Sequence, residues 1–219
     1  MLDARNVYHP SENFRKGSRY FWENAPGNGE FYPMRILLTA PTSFEVKPSE
    51  LPAGNWVFVE SGVGVPATLF HLQEAWQAGN YDLLLQVGLA GTFREDLPLA
   101  SVGWVERDQF AGLGLSQTNT FTPLTDSYLN RGCYPENTGG WIPATLPDGL
   151  KLPLPAWTSI TVNQATDDPQ QNEQHQQTGA DIESMEGAAA HYLGFRWKIP
   201  VIQLRAVSNF VGNRDVSNW

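Results

Sequence analysis

The chain has one cysteine, few basic side chains and no long apolar run. Each shortage closes a class of protein. With Cys133 alone there is no internal disulfide framework and no cysteine-clustered zinc site, and the usage fits a reducing compartment, here the cytoplasm. The 14 Lys and Arg against 23 Asp and Glu leave a formal charge of −9. Such a chain lacks the basic face that neutralises phosphates, which argues against a nucleic-acid binder. No stretch reaches the roughly 18 apolar residues of a membrane-spanning helix, so no membrane partner is expected. The histidines His9, His71, His175 and His191 show no metal-ligand spacing. No metal and no cofactor is expected, and His71 and His191 read as helix-surface or helix-edge residues.

The charge is unevenly spread. Residues 1–33 are neutral, and residues 34–219 carry the whole −9. The first segment holds Tyr8, Phe14, Tyr20, Phe21, Trp22, Phe31 and Tyr32 but neither the apolar run nor the cleavage site of a secretory signal. It reads as an irregular extension, either a partner-binding arm or an upstream mis-translation of the reading frame.

From Met34 onward, strands and helices alternate. Apolar runs bounded by turn residues predict strands at 35–40, 56–60, 82–87, 101–106, 157–163 and 200–207. Pro66 starts a helical pattern that Gly79 stops. A second helix is predicted from about Met185 to Phe195, with Ser184 as its N-cap. Residues 111–155, rich in Gly, Pro, Asn and Thr, read as long loops. Gln170–Gln177 reads as a solvated helix. This alternation predicts an α/β fold with a largely parallel or mixed sheet.

Two glycine clusters follow strands. Ser61-Gly-Val-Gly-Val-Pro-Ala67 matches the spacing of a dinucleotide fingerprint, but no acid ends the next strand to hold a ribose. A tight strand-to-helix turn is the better reading. Gly88-Leu-Ala-Gly91 reads as a second turn at the rim where α/β sheets bind ligands. Among the acids, Glu186 opens a helix, where the dipole favours an anion whose two oxygens can accept from adjacent hydroxyls. By position alone Glu186 reads first as an ordinary helix-start acid and Glu45 as a solvated loop acid, and Asn209 has the plain reading of a turn residue. Arg205 lies inside an apolar strand, so it pairs with a buried acid or lines a site.

In order along the chain, Glu45-Val46, Ser61-Gly-Val-Gly64, Gly88-Leu-Ala-Gly91, Met185-Glu-Gly-Ala-Ala189 and Arg205-Ala-Val-Ser-Asn209 resemble the nucleoside phosphorylase and nucleosidase superfamily. The resemblance covers about 34–219. Thr161-Val-Asn163, Glu183-Ser-Met-Glu-Gly-Ala-Ala189 and Ser208-Asn-Phe-Val-Gly-Asn-Arg-Asp215 with Trp219 are similar to the futalosine hydrolases within it. The resemblance implies a three-layer α/β/α sandwich around a mixed sheet, phosphorylase/hydrolase-like, and a homo-oligomer acting on a small-molecule nucleoside. The reaction implied is hydrolysis of futalosine to hypoxanthine and dehypoxanthinyl futalosine, in menaquinone biosynthesis. Relatives also carry a final helix past the Trp219 position, so 34–219 reads as a nucleosidase domain lacking it.

The resemblance also implies roles. Glu45 would deprotonate the attacking water, and Glu186 would hold the ribose hydroxyls with Met185 beside the sugar. Gly88, Ala90 and Gly91 would flank the nucleoside. Asn163, Ala165 and Thr166 would border the base. Asn209 stands where methylthioadenosine nucleosidases have a catalytic Asp. Its amide can donate to O6 or N7 of a 6-oxopurine but cannot give up a proton. Gly112 stands where the family pattern has Asp. Phe110, Trp141 and Trp157 could wall the far end of the substrate, or simply pack in the core.

Three other readings remain. A phosphorylase needs Arg and backbone N–H groups for phosphate, and Arg94 is the one candidate noted. A methylthioadenosine or adenosylhomocysteine nucleosidase needs the acid that Asn209 replaces. A binding or scaffold module would have lost the chemistry.

Overall fold

A computed structural model describes residues 34–118 and 120–213. The extension 1–33 and the end around Trp219 lie outside the described residues.

Four parallel strands build the first half of the sheet. They are β1 (Ile36–Ala40), β2 (Trp56–Glu60), β3 (Leu83–Thr92) and β10 (Val201–Phe210). The strands β4 (Val102–Phe110), β8 (Ala156–Thr161) and β9 (Ile182–Ser184) run the other way, and the short β7 (Ile142–Pro143) adds to β4. The sheet is therefore mixed, as expected. It also closes on itself, because β3 pairs with both β10 and β9 while β10 runs on through β4 and β8 to β9. Ala90, Leu97, Val105, Trp157, Ile182 and Val207 make one apolar cluster on these strands. Trp157 is thus core and no substrate wall; its ring lies where a Cβ on Gly103 would stand.

The two apolar helices follow their sequence signals. Helix α1 (Val65–Ala78) has Pro66 in its first turn and ends at Gly79. Helix α3 (Gly187–Trp197) ends where Lys198 turns left-handed, two residues before Pro200. They pack on one another: Trp76 and Trp197 stack with centroids 4.4 Å apart, worth about 1 kcal/mol beyond area burial. Beneath them Leu37, Leu72, Leu84, Leu193 and Val201 form a second core. The Gln-rich segment is the exposed helix α2 (Pro169–Gln176), capped by Asp168. Within 111–155 the expected loops contain a hairpin of β5 (Gly114–Gln117) and β6 (Thr120–Pro123).

Several local expectations change. Gly88–Gly91 is no turn: all four residues lie inside β3, which runs five residues past its predicted end. Asn209 likewise lies inside β10, beside a bulge between Val207 and Asn209. Glu186, not Ser184, is the N-cap position of α3, although the Ser184 hydroxyl accepts the Gly187 N–H at 3.2 Å. His191 is buried, with Nδ1 2.9 Å from the Ile142 carbonyl.

A buried polar chain anchors the start of α3. The Thr161 hydroxyl accepts the Ala188 N–H at 2.7 Å and donates to Asp108 at 3.0 Å. Asp108 also accepts from Gln203 at 3.2 Å. Gly187 is required here, because a Cβ would meet Asp108 and Gln203. Burial pushes the Asp108 carboxyl above its ordinary pKa.

Candidate active site

The site forms where β3 changes neighbours. Along one edge its first half pairs with β1, up to Thr39 opposite Gln86, and its end pairs with β9, from Gly91 opposite Glu183. The residues between them face a split in the sheet. α/β sheets bind ligands at such divisions.

Polar side chains fill the split. Glu45 arrives on the loop after β1, and its Oε2 accepts the Leu89 N–H at 2.8 Å. Arg205 from β10 donates to the Leu89 carbonyl at 3.2 Å and to Gln86 Oε1 at 3.2 Å. Arg205 is 1% exposed, so these partners replace its water. Its Nη1 also lies 3.8 Å from Glu186 Oε2. Glu186 is 4% exposed, and its Oε1 accepts the Gly64 N–H at 3.0 Å. Of the two expectations for Arg205, pairing with a buried acid is met by this geometry.

The glycines now have reasons. Gly64 has φ +88°, open to glycine at no cost, and it turns its N–H toward Glu186. That donor serves a carboxylate of the same chain, so the dinucleotide reading loses its phosphate cradle. Gly88 is forced by crowding: a Cβ there would lie 2.6 Å from Arg205 Nη1 and 2.7 Å from Glu45 Oε2.

Burial raises the Glu45 pKa above the usual carboxylate value. The Leu89 N–H and Arg205 pull it back, and Glu186 pushes it up again. A partly buried carboxylate with raised proton affinity suits a general base.

The second half of the site lies further along β3. Asn209 pairs laterally with Gly91. Its Oδ1 accepts from the Ser208 hydroxyl at 2.9 Å, and its Nδ2 donates to the Phe210 carbonyl at 3.0 Å. Those bonds fix which end of the amide is the donor and leave its second N–H for a ligand. The next residue, Phe210, bounds an open cavity of about 480 Å³ together with Phe93, Val211 and Asn172 and Gln176 of α2; Asn209 itself does not line it.

The structure thus unites Glu45, Gly88 and Glu186 in one cluster, and Gly91 and Asn209 in another, and the strand β3 carries Gly88, Ala90 and Gly91. Met185 packs against the Ile160–Val162–Ala180 cluster. Asn163 is exposed, Ala165 half-buried, and the Thr166 hydroxyl accepts the Asp168 N–H at the start of α2. Their segment follows Val162, whose N–H donates to the Ser184 carbonyl, and no contact described in the structure brings these three residues to either cluster. Phe110 packs edge-on to Tyr192, and Trp141 sits under Arg107. Phe93 and Phe210, which follow the glycine and Asn motifs directly, were not singled out from sequence. Their positions just after those motifs were the available signal.

No family model matches the chain. Futalosine hydrolase of Streptomyces coelicolor is 29% identical over 174 residues, which covers 77% of this chain and 73% of that protein. A mutant futalosine hydrolase of Helicobacter pylori superposes with a TM-score of 0.64 at 17% identity, covering 84% of this chain and 91% of that one. The 5′-methylthioadenosine/S-adenosyl homocysteine nucleosidase of Campylobacter jejuni gives 0.62 at 18% identity, covering 84% and 89%. The fold is that of these solved hydrolase and nucleosidase structures, and the sequence is similar to a futalosine hydrolase.

Proposed function

We propose that this chain hydrolyses the N-glycosidic bond of futalosine, releasing hypoxanthine and dehypoxanthinyl futalosine on the way to menaquinone. The observation that carries the reading is the arrangement along β3: two carboxylates gathered at Arg205, then Asn209 across Gly91. The similarity to the Streptomyces futalosine hydrolase selects the substrate.

Each group has a part in the chemistry. Breaking the bond to the base builds an oxocarbenium-like ribosyl cation. Glu186 accepts from the two ribose hydroxyls, and its charge, with that of Glu45, steadies the cation. Glu45 takes the proton of the attacking water. The second Nδ2–H of Asn209 donates to O6 or N7 of the 6-oxopurine, with Phe93 and Phe210 as aromatic walls. Asn163, Ala165 and Thr166 border the same end, and Met185 backs the sugar.

Phosphorolysis is disfavoured by the arginines. Arg94 grips Asp96 through two bonds, at 3.0 and 2.7 Å, and Asp181 through a third at 3.1 Å. Arg205 is committed within the site. Neither offers a free fork to phosphate. Phe44, 96% exposed, with exposed Val63 and Phe70, forms apolar surface on the elements that carry Glu45 and Gly64, and suits cover by a second copy of the chain.

The test is release of free base by the purified protein. Hypoxanthine should appear from futalosine at the same rate with and without phosphate. A phosphate requirement would assign a phosphorylase, and no release in either buffer would remove the enzyme reading.

A further inference from the structure

A polar side chain at the N-cap of a helix usually accepts N–H groups of that helix's first turn. Glu186 does not. It holds the N-cap position of α3, yet its side chain caps none of the α3 N–H groups. Its Oε1 instead accepts the N–H of Gly64, the N-cap residue of α1. Resting on the hydrolase reading, in which Glu186 holds the ribose hydroxyls, we infer that Thr161 is a positioning residue for that acid. Its hydroxyl caps α3 in place of Glu186 and so releases the carboxylate to the sugar.

Strand register builds the substitute cap. Thr161 ends β8 and Ser184 ends β9, and the two are lateral partners in this parallel pair. Lateral partners project from the same face of a sheet, so two hydroxyls stand side by side where α3 begins. They take consecutive donors. Ser184 Oγ accepts the Gly187 N–H at 3.2 Å, and Thr161 Oγ1 accepts the Ala188 N–H at 2.7 Å. The Ala189 N–H goes to the Glu186 carbonyl at 3.0 Å. All three donors of the first turn are met, and none needs the Glu186 carboxylate.

Asp108 sets the direction of the Thr161 hydroxyl. That hydroxyl has one proton, and it goes to Asp108 Oδ1 at 3.0 Å, which leaves the oxygen lone pairs to the helix. The other oxygen of Asp108 accepts from Gln203 at 3.2 Å, so the carboxyl is itself held in place. Thr161, Asp108 and Ala188 are all buried, so solvent does not stand in for the hydroxyl.

The consequence for the sugar follows. A carboxylate has about four acceptor positions, so the bond from Gly64 leaves room on Glu186 for two adjacent hydroxyls. Without the Thr161 hydroxyl, the Ala188 N–H is buried and unpaired, which is costly. Ala188 is the second residue of α3, the position that an N-cap side chain ordinarily reaches. Glu186 then turns back onto its own helix and gives up the ribose.

The test compares kcat/KM on futalosine and on its 2′-deoxy form. The wild type should prefer the ribonucleoside. In Thr161→Val, which keeps the shape and removes the hydroxyl, that preference should fall about tenfold or more, the worth of a hydrogen bond to a charged group. Thr161→Ser keeps the hydroxyl and should hold the preference within about threefold of wild type. Thr161→Cys, a weak acceptor of similar size, should lose about threefold or more, and carries the test should the valine variant fail to fold. A folded valine or cysteine variant that loses rate equally on both nucleosides would make Thr161 merely structural and overturn the inference. So would an unchanged preference in either, or a lost preference in the serine variant. Failure of the underlying reading looks different, because the wild type itself would then release no hypoxanthine or show no preference for the ribonucleoside.

Discussion

The two ends of the site are built by opposite means. At the proposed sugar end, around Leu89, five residues interlock: Glu45, Leu89, Arg205, Gln86 and Glu186. Little space is left, and the backbone of β3 supplies both a donor and an acceptor. At the proposed base end, around Gly91, the neighbours of an added Cβ would stand farther off, at 3.1 to 3.6 Å, and an open cavity begins beyond, at Phe93 and Phe210. The crowded end is preorganised for charge, which has the same form in every ribosyl transfer. The open end is where substrates differ. Changes at the first end should therefore cost chemistry and stability together, and changes at the second should cost substrate choice.

The largest effect is expected at Glu45. Glu45→Gln keeps the bond from Leu89 but cannot take a proton, so kcat should fall about a thousandfold with KM little changed. Its raised pKa has a matching signature in the wild type. The group works as the anion, so activity should be lost as pH falls. The loss should begin at a higher pH than an ordinary carboxylate would give. A pH profile of kcat checks this.

Two glycine variants sharpen the comparison. Gly88→Ala drives a methyl between Arg205 and Glu45, and should lower stability by about 2 kcal/mol and activity more than tenfold. Denaturant unfolding and steady-state rates read the two losses side by side. Gly91→Ala meets looser neighbours, and should cost only about 1 kcal/mol of stability. Its methyl stands 3.2 Å from the Asn209 amide, so KM should rise while kcat on the bound substrate changes less. Similar behaviour of the two variants would erase the distinction between the ends.

Much of the scaffold was legible in the chain. Apolar runs located the strands because burial imposes them, and Pro66 and Gly79 bounded α1 because their backbones permit little else there. The glycines of β3 misled because glycine usually marks a turn. Here it marks close approach, which depends on Arg205 and Asn209 far along the chain. Strand β9 has three residues, too short for any periodicity to show. Glu45, Glu186 and Asn209 were visible through the order of their motifs.

The central claim concerns a 6-oxopurine read by the amide of Asn209, and one ratio tests it most directly. Futalosine and the same nucleoside with a 6-amino group should be compared by kcat/KM, in the wild type and in Asn209→Asp. The wild type should favour the 6-oxo substrate by about a hundredfold or more, because the amide N–H meets an acceptor there and a donor in the other, and the preference should shrink or reverse in the Asp variant. Equal cleavage of both nucleosides by the wild type would contradict the account.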